Sequence, residues 1–289
     1  MRLFLLTALT MLAFAANSIL NRMALEDGAT GPAAFAAIRL VSGALCLWAL
    51  VAWRSSGRGG GWRPMWQPGG AASLALYVLG FSFAYVSLQA GVGALILFGG
   101  VQITMFAGAL ILREAVPARR WAGAALAFGG LVWLLWPAGG GAAPDPVGAA
   151  LMVAAALGWG IYSLLGRGAT NPLRATAGNF VFAAPLGLLV LAVLPDSATA
   201  QGVILAVISG AVTSGCGYAL WYAVLPRLGA ARAAVAQLCV PVIAAAGGLL
   251  LLGEGISLRF AMASALVLGG VLLASLPPSR KAQVLGKDA

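Results

Sequence analysis

The chain has 289 residues, 62% of them apolar, with 17 Lys or Arg and 7 Asp or Glu, and no His. A soluble domain commits roughly a quarter of its residues to charge, so this composition excludes a water-soluble globule, and its apolarity excludes intrinsic disorder. An integral membrane protein remains, and without His neither Ser-His or Cys-His catalysis nor a His-ligated metal is available.

Ten stretches are long and apolar enough to cross a hydrocarbon core of about 30 Å. Span 1 (3–21) carries Asn17 and Ser18; its Ala13-Phe14-Ala15 also looks like a secretory cleavage site, a reading the repeat below argues against. A Gly-Ala-Thr-Gly-Pro turn at 28–32 leads into span 2 (32–53), which holds Arg39 about 10 Å below the membrane surface by helical rise. Two readings of Arg39 stand: an anchor for a substrate carboxylate, or a partner for Glu26, Asp27 or exposed carbonyls that fixes span 2. Span 3 (70–88) aligns Tyr77, Phe81 and Tyr85, spaced by four, on one face.

Span 4 (93–112) contains Gln102, and Glu114 follows it; span 5 (119–137) has Trp near its ends and Gly129-Gly130. After a Gly- and Pro-rich link, span 6 (147–165) carries Trp159, Tyr162 and Ser163. Span 7 (174–194) contains Pro185, and span 8 (202–224) contains Thr213, Ser214, Tyr218, Trp221 and Tyr222. Span 9 (232–252) holds Gln237 and Pro241 and is followed by Glu254; span 10 (258–276) holds Gly269-Gly270. Pro185 and Pro241 are expected to kink or hinge their helices in mid-span. The ten-residue alternation of a β-barrel is absent.

With the N-terminus inside, 14 of the 17 basic residues are cytoplasmic: Arg2, Arg54, Arg58, Arg63, Arg113, Arg119, Arg120, Arg167, Arg174, Arg227, Arg232, Arg280, Lys281 and Lys287. The net charge of +10 is thus a topology signal; no polar domain exists to present a nucleic-acid-binding face. Cys46, Cys216 and Cys239 lie in apolar runs without metal-ligand spacing and read as small buried side chains.

Shifted by 140, residues 101–137 align with 241–277 without a gap, and 11 of 37 positions are identical, including Glu114 with Glu254, Arg119 with Arg259 and Gly129-Gly130 with Gly269-Gly270. Gly80-Phe81 and Tyr85 match Gly217-Tyr218 and Tyr222. Spans 1–5 therefore repeat as spans 6–10, and an odd number of spans inverts the second copy. The fold class expected is an all-α polytopic membrane protein, ten transmembrane helices in two inverted five-helix repeats (1–138 and 139–278), a tail at 279–289, and both termini cytoplasmic. Span 1 has a counterpart in span 6 and so belongs to the mature fold.

These features resemble the drug/metabolite transporter superfamily, EamA type, and within it the YddG-type exporters of aromatic and other neutral amino acids. The resemblance implies efflux across the bacterial inner membrane, with no cofactor, the bilayer as surroundings and a monomer or weak dimer as the unit. The chain departs from the family at Val101-Gln102, where a first-repeat proline is common, so span 4 is expected to be straighter than span 9.

Polar groups inside spans usually face a bundle interior. Spans 5 and 10 have almost none and read as peripheral; the cavity is placed among spans 1, 3, 4, 6, 8 and 9. Its candidate lining is Asn17, Tyr77, Phe81, Tyr85, Gln102, Trp159, Tyr162, Ser163, Ser214, Tyr218, Tyr222 and Gln237, with Arg39 beside it. The rings suit apolar or aromatic cargo, and an ammonium group by cation–π attraction worth about 2 kcal/mol when desolvated; the competing reading is core packing and interfacial anchoring. Glu114 and Glu254 are open to two readings, a proton relay or capping and pairing with a nearby Arg. No Asp or Glu lies in mid-span, so no buried carboxylate can act as a proton carrier there. A multidrug or other metabolite carrier, or a channel, fits the same pattern; an intramembrane enzyme lacks mid-span His, Lys or paired carboxylates.

Overall fold

Lipid offers no partners to backbone N–H and C=O groups, so a membrane chain must satisfy them internally. Accordingly, every regular element among the described residues of the computed structural model is a helix; those residues are 1–55, 64–111, 113, 116–137, 143–166 and 169–275, and the side chains at 222, 225, 226 and 229–234 are not described. The elements are α1 (Arg2–Leu25), α2 (Pro32–Ser55), α3 (Pro68–Ala84), α4 (Ala90–Ile111), α5 (Ala118–Leu135), α6 (Pro146–Gly166) and α7 (Pro172–Val193). They continue as α8 (Ala200–Val207), a π-helix (Ile208–Cys216), α9 (Gly217–Gln237), α10 (Cys239–Leu252) and α11 (Leu258–Ser275). Among the described residues, eight helical stretches are long and apolar enough to cross a membrane, and α3 is a shorter apolar helix.

The helix starts follow from the sequence. Pro32, Pro68, Pro146 and Pro172 occupy first positions, where a missing N–H costs nothing. Acidic side chains cap the N-termini of α2, α4 and α6, from distant segments in the first two and from the residue that precedes the helix in the third. Asp196 accepts from Ala33 N and Ala34 N of α2, Glu254 from Ala90 N of α4, and Asp145 from Gly148 N of α6. Each places negative charge at the positive end of a helix dipole. Hydrogen bonds also tie α1's last turn to α3's end, through Arg22 to the Tyr85 and Val86 carbonyls, and α5's end to α11's start, through Arg259 to the Trp133 carbonyl. Ends that the sequence assigns to one membrane side thus meet.

Two boundaries differ from expectation. The break expected between spans 8 and 9 near 225–231 is helical; the interruption falls at Leu238. Pro241 explains it, because its ring excludes the helical carbonyl four residues earlier, at Gln237, where α9 stops. Pro241 therefore sits in the first turn of α10, not in mid-helix, whereas Pro185 lies inside an α7 that runs on past it. The first-repeat counterpart without proline, α4, is unbroken over 22 residues. The cysteine expectation also fails: Cys216 and Cys239 are exposed on the helix surface, and Cys46 and Cys216, distant in sequence, bring their sulfurs within 3.9 Å between α2 and the π-helix.

Small residues set the closest helix approaches. A Cβ at Gly210 of the π-helix would fall on the Arg39 carbonyl and the Ser42 hydroxyl of α2. Gly123 of α5 and Gly270 of α11 cross reciprocally, each against the other's carbonyl, and these two outer helices pack mainly on one another. Gly129 and Gly269, by contrast, both face open space, so the two Gly-Gly pairs are placed alike.

Gly210→Ala is expected to destabilise the detergent-solubilised protein by about 1–3 kcal/mol through overpacking, while Gly129→Ala leaves its melting temperature unchanged or slightly raised. Equal melting curves for the two variants would refute this packing. Mild oxidation should join Cys46 to Cys216 within one chain, read as a disulfide-linked peptide by mass spectrometry, and Cys239→Ser should leave that product unchanged.

Candidate functional site

Phe14, Asn17, Ser18 and Asn21 recur at helical spacing on the buried face of α1. Asn17 turns its side-chain oxygen toward the π-helix and accepts from Ser209 Oγ at 2.8 Å and Thr213 Oγ1 at 2.5 Å. The widened π turn presents three hydroxyls, Ser209, Thr213 and Ser214, to the bundle interior within six residues. Such departures from α geometry are frequent at functional sites.

Arg39 of α2 is fully buried beside them. Its Nε donates to Ser214 Oγ at 3.2 Å and its Nη2 to the Tyr77 hydroxyl at 3.1 Å. The guanidinium carbon lies 5.3 Å from the centre of the Tyr77 ring and 5.0 Å from that of Phe81. Nη1 has no hydrogen-bond partner. The pairing with Glu26 or Asp27 considered from the sequence does not form: both ion pairs among the described residues belong to Arg22, with Glu26 and Glu254. A charge withdrawn from water costs several kcal/mol. Charge-assisted hydrogen bonds at about 1.5–3 kcal/mol each and cation–π contacts offset part of this, and leave one donor edge unsatisfied.

Around Arg39 the rings close on each other. Tyr77 lies 5.4 Å from Phe81 and 4.9 Å from Trp159; Trp159 lies 5.5 Å from Tyr162 and 5.0 Å from Tyr218. Phe14 and Phe180 each pack edge-on against Tyr218 at 5.9 Å. The open aromatic-lined cavity expected from the sequence is therefore filled by its own side chains, which brings Asn17, Arg39, Tyr77, Phe81, Trp159, Tyr162, Ser214 and Tyr218 into one continuous cluster. The Tyr218 hydroxyl, like Arg39 Nη1, is buried with no hydrogen-bond partner among the described residues.

Other candidates fall elsewhere. Tyr85 touches Phe81 at 4.7 Å but spends its hydroxyl on the Ala90 carbonyl, so it is a buried structural residue and not an interfacial anchor. Ser163 donates to the Trp159 carbonyl of its own helix; Tyr162, within the cluster, donates its hydroxyl to Thr176. Gln102 and Gln237 share a small crevice with Phe98, Leu238 and Val267, apart from the cluster. Glu114 and the side chain of Tyr222 lie outside the described residues, as do Arg58, Arg63, Arg167, Arg280, Lys281 and Lys287. Sequence reasoning missed Phe14, Phe180, Ser209 and Asn21; the spacing of Phe14, Asn17 and Asn21 along one face of span 1 was the available signal.

At the end of the bundle above Arg39, Arg22 bonds Glu254 Oε1 at 3.1 Å and the carbonyls of Tyr85 and Val86. Of the readings weighed for Glu254, this geometry matches pairing and capping, with α4 as the capped helix. Burial pushes the Glu254 carboxyl above its ordinary value, although the Ala90 N–H and Arg22 pull it down.

Residues 146–276 match the EamA-like transporter family. An uncharacterized Pseudomonas aeruginosa protein is 46% identical over 281 residues, 96% of this chain and 95% of its own. An Archaeoglobus fulgidus protein described as an uncharacterized transporter is 28% identical over 213 residues, 71% of this chain and 74% of its own. A protein of known crystal structure, 23% identical, covers 92% of this chain and 98% of its own with a TM-score of 0.64, which shows a shared fold.

Since the folded pKa of Glu254 is raised, its contribution to stability is fully present below its ordinary value of 4.5 and is lost as pH rises through the folded value. Wild type should thus lose stability relative to Glu254→Gln as pH rises from about 4 to 7. Parallel melting profiles of the two proteins would show that the carboxyl is not shifted in this way.

Proposed function

We propose that the chain, whose residues 146–276 match the EamA-like transporter family, is a drug/metabolite superfamily transporter that exports neutral amino acids, aromatic ones preferred, from the bacterial cytoplasm across the inner membrane. That it is a multi-pass membrane transporter and not an enzyme follows from the family and from its apolar helices. The observation that carries the cargo reading is the Arg39 cluster: one buried guanidinium with a free donor edge, set among rings and hydroxyls. An aromatic amino acid offers the matching pieces, a carboxylate and an aromatic body.

The mechanism we propose is alternating access. The repeats 1–138 and 139–278, inverted with both termini cytoplasmic, rock about the cluster, which α1, α2 and α3 of one half and α6, α7, the π-helix and α9 of the other share. In the closed arrangement described here Arg22 and Glu254 join the two halves above the cluster, and separation of that pair accompanies opening on the outer side. A lipophilic cation, the cargo of the rival multidrug reading, would meet Arg39 as a like charge, which disfavours that alternative.

Reconstitution in liposomes tests the cargo. Labelled phenylalanine, and to a lesser degree methionine and threonine, should show saturable, protein-dependent counterflow; none above protein-free vesicles would end the amino-acid assignment, and conductance events would favour a channel. Trp159→Ala and Tyr218→Ala should lower phenylalanine flux about tenfold or more, the equivalent of roughly 1.4 kcal/mol of binding. Trp159→Phe, which keeps a ring, should retain most of it at equal expression.

A further inference from the structure

The transport reading leaves open which part of a cargo the protein reads. Arg39 is fully buried, and its contacts are all neutral: the Ser214 and Tyr77 hydroxyls and two ring faces. Both ion pairs among the described residues involve Arg22, at the end of the bundle. The polar groups that line the remainder of the cluster are hydroxyls and amides: Asn17, Ser209, Thr213, Ser214, Tyr162 and Tyr218. The cluster therefore carries a net positive charge and one free guanidinium edge, Nη1, in a medium of low dielectric.

Two consequences follow for recognition. An anionic oxygen at Nη1 completes the hydrogen bonding of Arg39 and neutralises it, so a carboxylate gains twice. An ammonium group gains neither. The ring faces of Tyr77 and Phe81 that would attract it are already turned to the guanidinium, and no carboxylate of the described cluster stands ready to pair with it. The cation–π role expected from the sequence is thus filled by the protein's own Arg39.

We propose that the site selects its cargo by the carboxylate and the aromatic body alone, so that aromatic monocarboxylates without an amino group are a substrate class of this protein. The proposal rests on the transport reading above and adds that the α-ammonium of an amino acid is not recognised. Each occupant places its carboxylate on Arg39 Nη1 and its ring among Tyr77, Trp159 and Tyr218, displacing ring–ring contacts that fill the empty site.

The test compares isosteres on the reconstituted full chain: 3-phenylpropionate, 3-phenylpropionamide and phenethylamine, each as a competitor of labelled phenylalanine counterflow and as a ligand in thermal-shift binding in detergent. We expect 3-phenylpropionate to compete at least as well as phenylalanine itself, and the amide and the amine to be at least tenfold weaker. Arg39→Gln should abolish the preference for acid over amide, and Arg39→Lys should keep a reduced one. If Arg39→Gln is not recovered folded, Arg39→Lys and the wild-type isostere series decide. Phenylalanine flux with no competition by 3-phenylpropionate, or with equal competition by phenethylamine, overturns the carboxylate proposal while leaving amino-acid transport intact. Absence of phenylalanine flux together with binding of 3-phenylpropionate overturns the amino-acid reading and leaves the carboxylate site standing. No response to any of the four compounds overturns both.

Discussion

A buried guanidinium with no carboxylate paired to it among the described residues is the constraint around which the interior is arranged. Each Arg39 donor must find an acceptor or remain a cost, and the surrounding elements read as answers to that demand. The π-helix supplies Ser214, α3 supplies Tyr77, and ring faces on α3 shield the charge on its flank. What is not supplied is as informative: Nη1 has no hydrogen-bond partner among the described residues. A structural arginine held only for helix placement would be expected to be fully satisfied, since half-satisfied buried charge is the costliest arrangement.

Close packing makes this arrangement attainable. Gly210 lets the π-helix approach the α2 backbone at Arg39 itself, which brings Ser214 within reach of the guanidinium. Three acidic residues are committed to helix ends instead of to Arg39: Asp145, Asp196 and Glu254 cap α6, α2 and α4. Asp196 and Glu254 thereby join elements far apart in the chain, while Asp145 caps the helix it directly precedes.

Much of this was legible in the sequence, for identifiable reasons. Hydropathy exposes membrane helices because unsatisfied backbone in lipid is so costly, and the four-residue spacing of Tyr77, Phe81 and Tyr85 fixed a shared face on α3. The lone mid-span charge drew attention to Arg39. Its partners were not legible, because Tyr77 and Ser214 lie 38 and 175 residues away, and sequence spacing carries no information across helices. Nor was the π-helix, since it is a response to packing and hydrogen bonding that no local propensity announces. The filling of the cavity belongs to the same class: sequence lists ring-bearing positions, whereas whether rings line a space or occupy it depends on how far the helices stand apart. Gln102 and Gln237 were polar and in the right spans, but face a crevice of their own.

The lone positive charge of Arg39 also makes the protein an electrical object. Any shift of α2 along the membrane normal carries that charge through the transmembrane potential, at about 2.3 kcal/mol per elementary charge per 100 mV for a full crossing. A bound monocarboxylate cancels the charge, so the potential acts on the empty carrier and passes over the loaded one, whereas a zwitterionic amino acid brings its own ammonium and leaves the loaded carrier as charged as the empty one. A polarised membrane then drives or resists only the reset when the cargo is a monocarboxylate, and both half-cycles when it is an amino acid.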